Sequence, residues 1–484
     1  MEESARRPNI VFIITDQQRW DTIAALGHAH AHTPHLDRLV REGTAFSHMY
    51  VTSPSCAPSR ASLFTGLYPH TTGVYKNDDV WRHSWVEEVA AQGYRCANVG
   101  KMHTFPYDAS VGFHERHVVE NKDRGSPDLP FLFDDWDKAL WSHGHVKPDR
   151  RTLRNLPDYG DRLGAFDWEL PEDLHVDNFV GNMARHWIDV SPDISDQPFF
   201  LQVGFPGPHP PYDAVPRYIE KYTDREIPDP CNSRRDRDGQ PDVLKALREQ
   251  HVRNDHDSVV HDEDPSPERS RRQRQHYLAN ISMIDAQVGG LIESLDARGV
   301  LEDTVIIFTS DHGDALGDHG HSQKWTMYEP SVRVPAIVWG PGRVRAGYVV
   351  DELTSLFDLG PTVLDLVGAD TPAWMEARSL LGACTGADWR GREYVFAEHA
   401  RDGILTETAL MTMVRSSDWK LVEFVDSDQG QLFDLRSDPM EEQSLWDDPA
   451  CLSVKAELRQ TISRWRAESA LHTAAVGRMP TALS

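Results

Sequence analysis

Four short apolar runs in this chain end in residues that could hold a cation or move a proton. The run at 9–15 leads into Asp16-Gln17, and the run at 304–309 into Asp311-His312-Gly313. The run at 95–99 is followed by Gly100-Lys101-Met102-His103, and the run at 198–203 by Gly207-Pro208-His209. If these are parallel strands, their carboxyl ends share one edge of a sheet, which is where α/β proteins bind ligands. Two carboxylates (Asp16, Asp311), an amide oxygen (Gln17) and an imidazole (His312) form a mostly hard-oxygen donor set. That set suits Ca²⁺ or Mn²⁺ better than structural Zn²⁺. Any one of these residues also fits a turn at a βα junction, but coincidence at four strand ends is harder to assign that way. A fifth element is Ser55-Cys56-Ala57-Pro58-Ser59-Arg60. Pro58, near the start of an apolar helical run, puts Cys56 at or just before a helix N-terminus. Unpaired N–H groups attract anions there and a thiol pKa is depressed. Spacing alone leaves a thiol nucleophile, a redox sensor and a buried inert cysteine all open. Arg60, one turn further on, can reach an oxyanion bound at that terminus.

The elements that must position these groups follow from pattern. Short β-rich runs, each followed by polar turn residues and then by helical periodicity, indicate parallel α/β architecture. Tyr277, Ile281, Ile284, Val288, Leu291 and Leu295 recur at steps of three and four, predicting a helix over 267–298 between Pro267 and Gly299. The adjoining basic stretch at 269–274 reads as a solvated helix face. Segments 108–175 and 229–266 read as insertions of the kind that form lids or binding loops. From about residue 390 the pattern changes. Alternating segments at 410–414, 420–424 and 431–435 predict an antiparallel meander, closed by a helix over 449–468. The expected organisation is a large α/β domain over 1–389 and a small α+β domain over 390–484.

Composition narrows the function classes. The 484 residues carry a net charge of −26, which argues against a nucleic-acid partner or an anionic membrane surface, since both need a basic face. No apolar run approaches the length of a membrane span. Five widely spaced cysteines give neither a disulfide framework nor a zinc pattern. The N-terminal segment enters a strand without the apolar stretch of a signal peptide. The expected location is therefore cytoplasmic, or periplasmic or secreted if a leader precedes the sequence as given. The tail at 472–484 is a candidate for packing on a neighbouring subunit of a homo-oligomer.

The cysteine segment, within SCAPSRASLFTGLYP, resembles the Cys-X-Pro-Ser-Arg signature of the type I, formylglycine-dependent sulfatases of the alkaline phosphatase superfamily. The resemblance continues in family order through TPHLDRLVREG (33–43), GKMH (100–103), GPHPPY (207–212), TSDHGDALGDHG (309–320), Lys324 and LFDLRSDPMEE (432–442). It implies an alkaline-phosphatase-like α/β domain, with a mixed and mostly parallel sheet flanked by helices, plus a small C-terminal α+β domain with an antiparallel sheet. It further implies that a formylglycine-generating enzyme converts Cys56 to Cα-formylglycine. The hydrate of that aldehyde would attack the sulfur of an organic sulfate ester, small-molecule or saccharide. One divalent metal ion, Ca²⁺ with Mn²⁺ as the alternative, is carried over to Asp16, Gln17, Asp311, His312 and the modified Cys56. By the same resemblance His209 protonates the departing alcohol and His103 is the base for sulfate release. Arg60, Lys101 and Lys324 would hold the nucleophile and the sulfate.

Two positions depart from the commonest sulfatase pattern. Gln17 stands where many members have Asp, and His312 where many have Asn, as in the choline-sulfatase-like and phosphonate monoester hydrolase-like branches. A phosphonate or phosphate ester hydrolase is therefore the alternative enzyme, although Lys101 and His103 replace a Tyr and a Thr of those hydrolases and favour sulfate. The reading from another class is a non-catalytic anion-binding protein in which Cys56 stays a thiol. The histidine-rich stretch 27–35 reads as a connecting loop. His319 and His321 read as residues of the pocket rim, and Trp136, Trp141 and Trp168 as core or lid packing.

Overall fold

The computed structural model describes residues 7–120, 122–123, 134–191 and 197–476. The strands are β1 (Asn9–Asp16), β2 (Thr44–Tyr50), β3 (Arg95–Gly100), β4 (Glu115–Val118), β5 (Phe199–Pro208), β6 (Thr304–Ser310), β7 (Arg333–Trp339), β8 (Tyr348–Val350) and β9 (Thr354–Ser355). They form one nine-stranded sheet in the order β4-β3-β5-β1-β6-β7-β2-β8, with β9 also on β2. Pairing is parallel from β4 through β6, and β7 lies antiparallel between β6 and β2. The sheet is therefore mixed and mostly parallel.

β1 lies in the middle of the sheet and is buried along its whole length. Its apolar residues alternate between two cores, as a two-residue side-chain period requires. Ile10, Phe12 and Ile14 face the helices α2 (Cys56–Thr65) and α5 (Leu359–Val367). Val11 and Ile13 face α1 (Pro34–Glu42), α3 (Val176–Val190) and α4 (Pro267–Ala297). Helix α4 has the extent its periodicity predicts.

The basic run at 269–274 is not simply solvated. Arg274 is buried and pairs with Asp318 at 2.5 Å, and Arg271 donates to the carbonyls of Thr223 and Arg225. The first insertion also differs from expectation at its start, because β4 extends the main sheet as its edge strand. Trp136 and Trp168 are buried in the core beside α3, whereas Trp141 is exposed.

A second sheet of four antiparallel strands is built from β10 (Val395–Ala400), β11 (Leu410–Arg415), β12 (Trp419–Phe424) and β13 (Gly430–Asp434). The predicted meander accounts for three of these strands, and β10 is added at its edge. The last helix, α6 (Leu452–Val476), begins and ends later than 449–468. It lays Leu458, Ile462 and Trp465 on this sheet, with Trp465 stacked on Phe396. Of the tail 472–484, residues 477–484 lie outside the described residues. Among the described residues no helix is long and apolar enough to cross a membrane.

Lys420 joins the two sheets. It is fully buried on β12, and its Nζ lies 2.7 Å from Glu329 and 2.6 Å from Glu441 while donating to the Met327 carbonyl. Burial opposes ionisation of Glu329, but Lys420, Arg415 and Arg333 hold its carboxyl well below the usual range. Lys420→Met removes the cation and leaves two carboxylates in the interior. Stability should fall by about 3–5 kcal/mol, the usual cost of breaking a buried pair from one side. Urea unfolding at neutral pH measures the change.

Candidate active site

The carboxyl ends of β1, β3, β5 and β6 meet the N-terminus of α2. Two of these strands change backbone conformation just where a polar residue is presented. Gln17, after β1, sits in the left-handed region at φ 74°, and so does Gly100 at the end of β3, at φ 96°. A Cβ on Gly100 would lie 2.1 Å from the Gly204 carbonyl oxygen, so only glycine lets β3 turn there and direct Lys101 inward. Helix α2 starts at Cys56 and every one of its residues is buried. Phe64 stacks on Trp85 at 5.4 Å, anchoring the helix under the sheet.

Around Cys56 Sγ lie His312 Nε2 at 3.1 Å, Lys324 Nζ at 3.0 Å and Asp16 Oδ1 at 3.6 Å. Lys101 Nζ is 2.5 Å from Asp16 Oδ2. Arg60 donates through Nε to Asp311 Oδ2 at 2.7 Å and through Nη1 to the Lys101 carbonyl at 2.9 Å. Its Nη2 is buried with no hydrogen-bond partner among the described residues. An unpaired buried guanidinium nitrogen is costly unless an anion meets it.

Charge organises these groups. Burial and Asp16 would raise the Cys56 thiol, but Lys324, His312 and Lys101 outweigh them and its pKa falls below the ordinary value. By contrast, burial pushes Cys96, Cys231 and Cys384 up to about 12. Burial also opposes ionisation of Asp16, yet Lys101, His209, Lys324 and His312 hold it well below the carboxylate range.

The donors fit one divalent cation. Ligating atoms of Asp16, Cys56, Asp311 and His312 all lie within 4.8 Å of one another, and all four residues are buried. Oxygen ligands sit about 2.3–2.6 Å from Ca²⁺, so donors on opposite sides of one ion are about 5 Å apart. His312 Nδ1 lies 2.9 Å from the Gly313 carbonyl, which can only accept. The Nδ1 proton is therefore fixed there, and Nε2 is the ring nitrogen turned toward the cluster, the orientation that metal-binding histidines take. Gln17 is oriented too. Its amide nitrogen donates to Asp314 Oδ2 at 2.7 Å, and its Oε1 accepts from Lys324 Nζ at 3.0 Å.

His209, beyond β5, donates its backbone N–H to the Asp16 carbonyl, which brings it to the same edge. Its Nδ1 is 2.7 Å from the Pro210 carbonyl and must be the protonated nitrogen. Nε2 is then the nitrogen with work to do. Burial and Lys324 lower the His209 pKa well below the usual imidazole value. His103 is buried two residues past Lys101, at φ 62°. Its N–H donates to the Glu120 carboxylate and its carbonyl accepts from Trp81 Nε1.

The structure thus gathers Asp16, Gln17, Cys56, Arg60, Lys101, His209, Asp311, His312 and Lys324 at one place. His319 and His321 differ from the rim expectation because both are buried. His319 is stacked on Tyr328 and paired with Asp236, and His321 faces Gln240. Sequence reasoning passes over Asp314, which also accepts from the Tyr212 hydroxyl at 2.8 Å, although it lies two residues past His312. It also passes over Asp257, whose Oδ2 is 3.7 Å from His209 Nε2. No local pattern signals that contact.

Comparison with known proteins agrees with this arrangement. Residues 8–369 match the family model described as Sulfatase, and residues 317–468 match N-sulphoglucosamine sulphohydrolase, C-terminal. The chain is 29% identical to an arylsulfatase of Clostridium perfringens, over 90% of this chain and 89% of that protein. It is 31% identical to a choline-sulfatase of Rhizobium meliloti, over 92% of this chain and 83% of that protein. The phosphonate monoester hydrolase of Silicibacter pomeroyi superposes with a TM-score of 0.78 at 25% identity, covering 96% of both chains. With the signature cysteine, the anion-binding cations and the acidic strand ends in one place, and with the family model covering most of its length, the chain belongs to the sulfatase family of the alkaline phosphatase superfamily and is a sulfuric ester hydrolase.

Proposed function

We propose that the chain hydrolyses a sulfate monoester of an aryl, sugar or small alcohol and releases inorganic sulfate. In this reading residue 56 is the nucleophile after oxidation of Cys56 to Cα-formylglycine, and Asp16, Gln17, Asp311, His312 and residue 56 hold one divalent cation, Ca²⁺ or Mn²⁺. The observation that supports it is the surrounding of Cys56. One buried side chain touches Lys324 and two members of a cation-sized donor cluster. When bound, the cation acidifies an oxygen nucleophile and neutralises charge on the sulfuryl oxygens.

The chain's own residues do the rest. Lys324 touches residue 56, Lys101 pairs with the neighbouring Asp16, and both oppose the charge of the sulfuryl oxygens. Arg60, rigid between Asp311 and the Lys101 carbonyl, offers its unpaired Nη2 to the same anion. Such preorganised donors are effective because they need no rearrangement as charge develops. His209 keeps its Nδ1 proton on the Pro210 carbonyl, so the proton that passes to the oxygen of the departing alcohol is a second one, taken up at Nε2 against the burial and the Lys324 charge that disfavour it in the free site. His103 serves as the base in sulfate release. Insertions 108–175 and 229–266 shape the substrate pocket around them.

The phosphonate ester alternative is favoured by one observation, the similarity to the Silicibacter hydrolase over 96% of the chain. Kinetics on a matched aryl sulfate and phenylphosphonate ester separate the two. We expect kcat/KM for the sulfate to exceed that for the phosphonate by at least about tenfold, a difference of about 1.4 kcal/mol in barrier. A larger value for the phosphonate replaces the sulfatase reading.

A further inference from the structure

Asp257 belongs to the second insertion, has no place in the chemistry proposed above, and yet faces the nitrogen that would donate the proton. Its Oδ2 is 3.7 Å from His209 Nε2, longer than a hydrogen bond and well inside the range of a charge. Asp257 acts electrostatically on His209 and on Lys324, so its carboxylate looks into the site.

The turn that carries it is built at a cost. Asp257 (φ 50°) and Ser258 (φ 61°) are consecutive non-glycine residues in the left-handed region, a conformation that persists only where its surroundings enforce it. The enforcing contacts come from the first insertion. Arg150 Nη2 donates to Asp257 Oδ1 at 3.1 Å, and Arg150 Nε donates to Asp123 Oδ2 at 3.1 Å. Ser258 Oγ donates to the same Asp123 oxygen at 2.6 Å. Asp257 is thus gripped through Oδ1, and its neighbour Ser258 through the hydroxyl, while Oδ2 lies toward His209. Both residues are buried.

The position of the substrate's alcohol follows from the reading of His209 as proton donor, on which this inference rests. The ester oxygen must come within about 2.6–3.2 Å of His209 Nε2 to receive a proton. The atoms attached to that oxygen then lie beside Asp257 Oδ2. We propose that Asp257 is a specificity-determining residue for the alcohol half of the substrate. It accepts a hydrogen bond from a hydroxyl carried next to the ester oxygen and repels a carboxylate at the same place. Arg150, Asp123 and Ser258 are positioning residues that aim it. The two insertions thereby act together: one supplies the recognising carboxylate, the other the guanidinium that holds it.

The test compares the wild-type holoenzyme with Asp257→Asn on two aryl sulfates. One carries a hydroxyl ortho to the ester and the other a carboxylate. Asparagine keeps the shape and removes the charge. The expected result is at least a tenfold drop in the ratio of kcat/KM for the hydroxyl ester to that for the carboxylate ester. It includes a rise in the absolute rate on the carboxylate ester, because the repulsive element is gone. A misfolded or mispositioned variant loses rate on both esters and cannot produce that rise. If the wild type turns over both esters and the ratio is unchanged in Asp257→Asn, this inference falls and the sulfatase reading stands. If the wild type turns over neither ester but hydrolyses an unsubstituted aryl, sugar or small-alcohol sulfate, this inference falls alone, and if it hydrolyses none of them both readings fall together.

Discussion

Replacing Cys56 with alanine is expected to lower kcat/KM on an aryl sulfate by about 10⁴-fold or more, as removal of a covalent nucleophile does in other hydrolases. The reason lies in how little else at the site is nucleophilic. Asp16 is engaged by Lys101 and Lys324, and Asp311 is tied to Arg60. Alanine is small enough to leave α2 in place, so the thermal midpoint should move little while activity disappears. Intact mass of the wild-type peptide containing residue 56, from cells that also make the maturation enzyme, supplies the chemical half of the result. Conversion of the thiol side chain to an aldehyde removes one sulfur and two hydrogens and adds one oxygen. A fully active enzyme whose residue 56 is still a thiol would falsify the formylglycine reading. An unmodified and inactive protein in those cells would instead favour the anion-binding alternative.

The second large effect concerns the cation. Stripping divalent ions from the purified enzyme should lower kcat/KM by at least about 10³-fold, since several kcal/mol of charge stabilisation are lost with the Lewis acid. Readdition of Ca²⁺ or Mn²⁺ should restore it, and the ion that does so at the lower concentration is the one the site prefers. Asp311→Asn should reproduce the loss and resist restoration. It removes a donor from the cluster and the carboxylate that holds Arg60 at 2.7 Å. Full activity in a preparation shown by elemental analysis to contain no divalent metal would exclude a metal-dependent mechanism.

Much of the frame was legible because parallel strands buried on both faces must be continuously apolar. β1, β5 and β6 come near that signature, β3 less so, and each of the four ends at or one residue before its functional residue. The meander was legible from the alternation along 410–414, 420–424 and 431–435 and the short polar turns between them, although β11, β12 and β13 are buried along most of their length. β4 was not, because it is a short and only half-buried edge strand with a charged start. At the site, local motifs reveal residues that must lie beside one another in the chain, such as Asp16-Gln17 or Asp311-His312. They do not reveal partners supplied from afar. Asp257 meets His209 across 48 positions, and Arg150 meets Asp257 across 107. Arg274 looked solvated within its basic run because Asp318, which takes it into the interior, lies in another segment. His319 and His321 were misplaced for the same reason.

The burial of α2 also has a consequence in time. Cys56 is 2% exposed, at the start of a helix whose every residue is covered, with Lys324 across its sulfur. An enzyme that oxidised this cysteine would have to reach its sulfur, and the native fold leaves it covered. On the formylglycine reading, modification would run ahead of folding, before the strand and loop at 304–324, made much later in synthesis, close over residue 56. Once the sheet has formed, a chain that missed its oxidation is trapped as a stable protein with the wrong atom at its centre. On that reading the active fraction of any preparation would record a race between two rates, and slower synthesis of the C-terminal half is expected to raise it.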